Sequence, residues 1–231
     1  MAIKLVAFSG DGQRPTAAVA ATARGPSSSV VDHAAPASTT TTSTTVPPTT
    51  TTTVDPGSLP QTSDLPSSGT PQFDAEMAAL WQGIVTDSVQ AAMPAFFPES
   101  AYVQVKGISD PQGDYTGRLV SEYGLDIGAA HAQLGAGAAQ AQLSSVQVDS
   151  SYAHWVPPGS CDNTVGYYEV PNSRIVYVED GQTESFGIAS MISWRGVWYV
   201  VHLGAVVRSS ESGVVDDPES GTGSPAYSGT C

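Results

Sequence analysis

From Ala37 to Thr53 the chain reads ASTTTTSTTVPPTTTTT, and after Val54 the stretch DPGSLPQTSDLPSSGTP carries the same composition to Pro71. Such a run offers almost no large apolar side chains to bury. Ordering each residue costs roughly 1–2 kcal/mol, so the sequence predicts that residues 37–71 form a disordered, extended stalk. Residues 1–36 are nearly as poor in large apolar groups and are predicted to be a disordered N-terminal segment. A core can therefore be built only from about residue 72 onward.

Thr/Ser/Pro tracts mark mucin-like spacers on the outside of cells; the rival reading is a plain interdomain linker. The formal charge of −14 supports neither an anionic membrane surface nor a nucleic acid as partner. Beyond the stalk only Lys106, Arg118, Arg174, Arg195 and Arg208 are basic. The chain has two cysteines, Cys161 in PGSCDN and Cys231. In an exported chain a lone pair in loop-like surroundings reads as one disulfide that staples the tail to the domain; the rival is two free thiols in a cytosolic protein. The opening MAIKLVAFSGDGQRP has an apolar run too short for an export signal. The extracytoplasmic assignment, secreted or envelope-anchored, thus expects the signal or anchor to lie upstream of this start. No run of about 20 apolar residues suggests a transmembrane span.

In Asp74–Met93, the residues Met77, Leu80, Trp81, Ile84, Val85 and Val89 recur at steps of three and four, which predicts one helix ended by Pro94. Tyr102 and Gln104 alternate with Val103 and Val105, which predicts a strand over Ser100–Lys106. Leu119, Val120, Tyr123, Ile127, Ala130, His131 and Leu134 fall at helical steps and predict a second helix. Beyond Gln140 the period changes to two. Strands are expected at 145–149, 152–156, 165–170, 174–178, 185–194 and 197–203. Asp180-Gly181 and Arg195-Gly196 should close tight hairpins, since both turn positions need positive φ. Residues 72–208 make the folded domain, and 209–231 read as an irregular tail tethered by the disulfide.

Helix, strand, helix and a run of antiparallel strands ending in SWRGVWYVVHL is an α+β order: a curved antiparallel sheet of about five or six strands packed on N-terminal helices. With the segment FFPESAYV, this order resembles the NTF2-like, cystatin-related group that includes the SnoaL-like proteins, and its pairing with a Thr/Pro stalk resembles exported actinobacterial envelope proteins. The resemblance implies a cone-shaped pocket, used by some members for catalysis and by many only to bind. It carries over no catalytic residue.

Polar side chains set in apolar segments are the pocket candidates: Tyr102, Asp126, His131, His154, Tyr168 and His202. A histidine satisfied within the sheet is commoner than a functional one, although either His154 or His202 could act as a base. Trp194 and Trp198 flank the Arg195-Gly196 turn and could form an interaction surface, or fill the concave face of the sheet. No metal-ligand spacing, phosphate loop or nucleophile motif is present, so no metal and no cofactor is expected. The first functional expectation is a non-catalytic envelope module that binds a partner protein or cell-wall component, with homodimerisation an open question. The alternative is a small-molecule-binding or isomerase-like protein that uses the cone cavity.

Overall fold

A computed structural model describes residues 55–204 and 211–225. The N-terminal segment 1–36, the stalk up to residue 54, Arg208 and Cys231 lie outside the described residues. Within them the chain is α+β, as its sequence order predicts. Helices α1 (Pro71–Val85), α2 (Val89–Ala92), α3 (Glu99–Val105), α4 (Pro111–Asp114) and α5 (Val120–Leu134) precede strands β1 (Gln142–Gln147), β2 (His154–Val156), β3 (Tyr167–Glu179), β4 (Gln182–Trp194), β5 (Val197–His202) and β6 (Asp216–Ser220). A π-helical turn, Tyr115–Leu119, joins α4 to α5. None of the described helices is long and apolar enough to cross a membrane.

Helix α1 starts where sequence says it should. Thr70 Oγ1 accepts the Phe73 amide at 3.2 Å, and Pro71 supplies a first turn that needs no N–H. Phe73, Met77, Leu80, Trp81 and Ile84 are its buried stripe. The helix does not continue to Met93. Asp87 adopts φ 49°, and Ser88 caps the separate helix α2 by accepting the Ala91 amide. This break lets α2 fold back on α1, where a Cβ on Gly83 would lie 2.5 Å from the Ala92 Cβ.

The strand expected over Ser100–Lys106 is instead helix α3. Ala101, Tyr102 and Val105 are buried while Val103 is 42% exposed. The apparent alternation is one helical face read at the wrong period, and Pro98 with Glu99 supplies a helix start.

The sheet is antiparallel, with order β1-β3-β4-β5; β2 also pairs with β3, and β6 with β4. Both predicted hairpins form, with positive φ at Asp180 and Gly181 (49° and 77°) and at Arg195 and Gly196 (52° and 75°). The expected break at Pro171-Asn172 does not. Asn172 takes φ 37°, and pairing resumes in the same register at Ser173↔Ile188. The Asn172 side chain lies against Gly187 of β4, where an added Cβ would fall 1.9 Å from Asn172 Oδ1 and force that side chain to shift. The tail is not wholly irregular, since β6 pairs Glu184↔Ser220 and Ser185↔Glu219.

Helices and sheet share a core in which Phe96 stacks on Tyr123 at 3.7 Å and Trp81 meets Tyr177 at 5.4 Å. Trp194 and Trp198 belong to this core at 1% exposure each, so they form no interaction surface. The stalk boundary also moves. Residues 55–70, expected to be disordered, lie on the domain as a strap. Trp194 Nε1 donates to Pro56 O at 3.0 Å, Gln61 Nε2 donates to Ser193 O at 2.8 Å, and Gln61 Oε1 accepts the Arg195 amide at 2.6 Å. The polar composition hides this because the strap is held by backbone and amide groups rather than by buried apolar side chains.

Candidate functional site

Between the C-terminal end of α3, the π-helical turn and the inner face of the sheet lies a cavity of about 110 Å³. Val105, Leu119, Ile192 and Val201 give it apolar walls, and Tyr102, Lys106, Arg118, Tyr167, Glu169, Ser190 and His202 supply polar groups. Tyr102 and Val105 reach it together because they are three residues apart on α3. Tyr167 and Glu169 share one face of β3, and Ser190 with Ile192 one face of β4.

Much of the polar lining is already engaged. The Arg118 guanidinium holds Asp114 in a two-point bond, Nε to Oδ1 at 2.7 Å and Nη2 to Oδ2 at 2.6 Å, and Nη1 reaches Glu122 at 3.2 Å. Nη2 also donates to Tyr102 Oη at 3.1 Å, while the Tyr102 hydroxyl donates to Asp114. That bond to Arg118 holds the Asp114 carboxyl below its usual range, and burial, followed by the bond to Asp114, pushes the Tyr102 phenol up. Arg118 and Tyr102 therefore form a rigid rim with little left to offer a ligand.

The inner end differs. Glu169 is only 3% exposed; its Oε1 accepts from Ser190 Oγ at 2.8 Å, and its Oε2 lies 3.7 Å from His154 Nε2. Tyr167 Oη accepts from Asn163 Nδ2 at 2.8 Å, which leaves its proton to donate, and burial raises its pKa to about 12. Lys106 Nζ donates one hydrogen to Cys161 O at 2.9 Å. Burial lowers the Lys106 pKa, with the charge of Asp162 opposing. The cavity thus presents, to anything small enough to enter, the Tyr167 proton, two ammonium hydrogens of Lys106, a lone pair of Ser190 and a carboxylate fixed from two sides.

Of the residues singled out by sequence, Tyr102 and His202 line this cavity, and His154 stands behind it through Glu169. The others lie elsewhere. Tyr168 alternates with Tyr167 and Glu169 along β3 and packs its ring 5.1 Å from that of Trp155. His131 Nδ1 donates to Ile84 O at 2.9 Å and ties α5 to α1. Asp126 accepts the Gly204 amide at 2.8 Å and the Val214 amide at 3.0 Å, which staples the chain beyond β5 to α5.

Sequence reasoning missed Glu169, Ser190, Lys106, Arg118 and Tyr167. A signal existed for Glu169, a lone acid in the strand YYEV whose neighbours are all apolar or aromatic. Arg118 carried a second, in its helical spacing from Asp114 and Glu122. The described residues include no group of three or more potential metal ligands. No cysteine among the described residues is free. No protein family, curated protein or solved structure matches this chain.

Proposed function

We propose that this is an extracytoplasmic, non-catalytic binding module whose cavity takes one compact, neutral or weakly polar molecule of roughly benzene size. The observation that supports the reading is the fixed carboxylate of Glu169 at the inner end of a cavity with apolar walls. A void of about 110 Å³ is too small for a drug-sized ligand and suits a single small ring. Such a ring would lie against Val105, Leu119, Ile192 and Val201, and a hydroxyl on it would donate to Glu169 or accept from Tyr167. Burial of Trp194 and Trp198 removes the exposed aromatic patch that would have favoured the partner-protein reading, and supports the cavity over it.

The remaining parts of the proposal come from sequence. The Thr/Pro run acts as a spacer that holds an NTF2-like domain away from the envelope, and Cys231 pairs with Cys161 to tie down the tail. The disulfide requires an oxidising compartment.

The test is a calorimetric titration of the full chain with phenol, repeated on Val201→Phe, which fills the half-exposed end of the cavity. Saturable binding near millimolar Kd, about −4 kcal/mol, is expected for so small a ligand and should weaken at least tenfold in the variant. Absence of saturable binding by phenol, or equal binding by Val201→Phe, would overturn the reading.

A further inference from the structure

A second cleft, of about 320 Å³, opens between the strap, α1, the segment after α2 and β5. Its charged lining is entirely acidic among the described residues: Asp55 from the strap, Glu76 from α1 and Glu99 from α3. Phe96, Tyr115 and Tyr199 supply aromatic walls. Glu76 is the group that asks for an explanation. It is 8% exposed, its Oε1 accepts from Gln72 Nε2 at 3.0 Å, and its Oε2 is buried without a hydrogen-bond partner. A buried carboxylate oxygen left unmatched costs free energy, which a proton or a bound partner can offset.

We infer that this cleft is a binding site for an organic ammonium ion, with Glu76 as its counter-charge and Tyr115 and Tyr199 as its aromatic walls. Carboxylates beside aromatic rings in a cleft attract ammonium groups through charge and the ring quadrupole together. The volume accommodates a substituted ammonium with an apolar or hydroxylated arm. The field of the chain, with a formal charge of −14, raises the local concentration of cations at the mouth.

The electrostatics agree. Burial raises the Glu76 pKa to about 7, against the opposing bond from Gln72. Burial, and after it the charges of Glu76 and Asp55, push the Tyr199 phenol up; burial and Glu99 raise that of Tyr115 to about 12. All three shifts come first from burial, and for Tyr199 and Tyr115 neighbouring carboxylates add to it. A bound cation would favour the ionised Glu76, so affinity should rise with pH through about 7. The titratable and amide groups that share the cleft with Glu76 are Gln72 on its own helix, Asp55 on the strap, Glu99 on α3, Tyr115 on the π-helical turn and Tyr199 on β5, none of which is cationic.

The experiment is a calorimetric titration of the full chain at pH about 8 with choline and with its neutral carbon isostere dimethylbutanol, on wild type, Glu76→Gln and Glu211→Gln. Choline should bind saturably and at least about tenfold more tightly than the alcohol, and Glu76→Gln should lose about tenfold. Glu211→Gln removes the same charge from an exposed residue and should bind as wild type does. Choline that binds no better than the alcohol overturns the inference, as does a folded Glu76→Gln that binds like wild type. If Glu76→Gln fails to fold, contacts between the choline methyls and the ring protons of Tyr115 and Tyr199, read by intermolecular NOE in wild type, decide the matter: their presence supports the site, and their absence overturns it. This cleft and the Glu169 cavity share no lining residue, so either assignment can fail without the other.

Discussion

Trp194 Nε1 donates to Pro56 O at 3.0 Å, which joins the core of the sheet to a segment that composition assigns to the stalk. The contact is tightly fitted. A Cβ on neighbouring Gly57 would come within 2.9 Å of the Ala101 backbone nitrogen and 2.1 Å of Ser100 Oγ. Gly57→Ala should therefore lift the strap or strain α3, at a cost of about 1–3 kcal/mol. Urea unfolding followed by tryptophan fluorescence measures it; an unchanged midpoint would mean that the strap contributes nothing to stability.

Removal of the whole strap goes further. A chain that begins at Pro71 loses the acceptor for Trp194 Nε1 and the two-point clasp of Gln61 on Ser193 and Arg195. With each net hydrogen bond worth about 1 kcal/mol, the loss should be roughly 2–4 kcal/mol. The expected result is a lower urea midpoint with an unchanged far-ultraviolet spectrum.

Asp126 separates structural from functional acids. Asp126→Ala leaves the Gly204 and Val214 amides without their acceptor, and should destabilise the fold by about 2–5 kcal/mol. In the fraction that remains folded, phenol affinity should not change, because Asp126 lies outside the cavity lining. Calorimetry on the variant at low temperature checks both halves.

Glu76 predicts a pH dependence of stability in the absence of ligand. Its folded pKa of about 7 lies above the ordinary 4.5, so the fold binds the proton more tightly than the unfolded chain does. The associated stability is complete below about pH 4.5 and is lost as pH rises through about 7. Glu76→Gln should flatten that part of the profile and be the more stable form above it. Urea midpoints measured across the range decide it; parallel profiles for the two proteins would contradict the assignment.

What could be read in the sequence follows physical scale. The Asp180-Gly181 and Arg195-Gly196 hairpins were legible because positive φ leaves a residue signature. Helices α1 and α5 were legible because each buries a long stripe. Helix α3 was not: over seven residues, periods of two and of three to four fit YVQV about equally, and what separates them is burial, with Val103 exposed while Ala101 and Val105 are buried. The cavity was legible in Tyr102 and His202 but not in Glu169 or Ser190, whose roles depend on a cross-strand register that no local pattern fixes. Of the two readings open for Trp194 and Trp198, their burial agrees with the one that places them inside; local sequence could not decide it for Trp194, since the strap that covers it lies more than a hundred residues earlier in the chain.

A small ligand in the Glu169 cavity would be seen most directly in intermolecular NOEs between phenol and the methyl groups of Val105, Leu119, Ile192 and Val201 in the full chain. Contacts to all four are expected, and should be lost in Val201→Phe. Contacts confined to exposed side chains, or none at saturating phenol, would contradict the cavity reading.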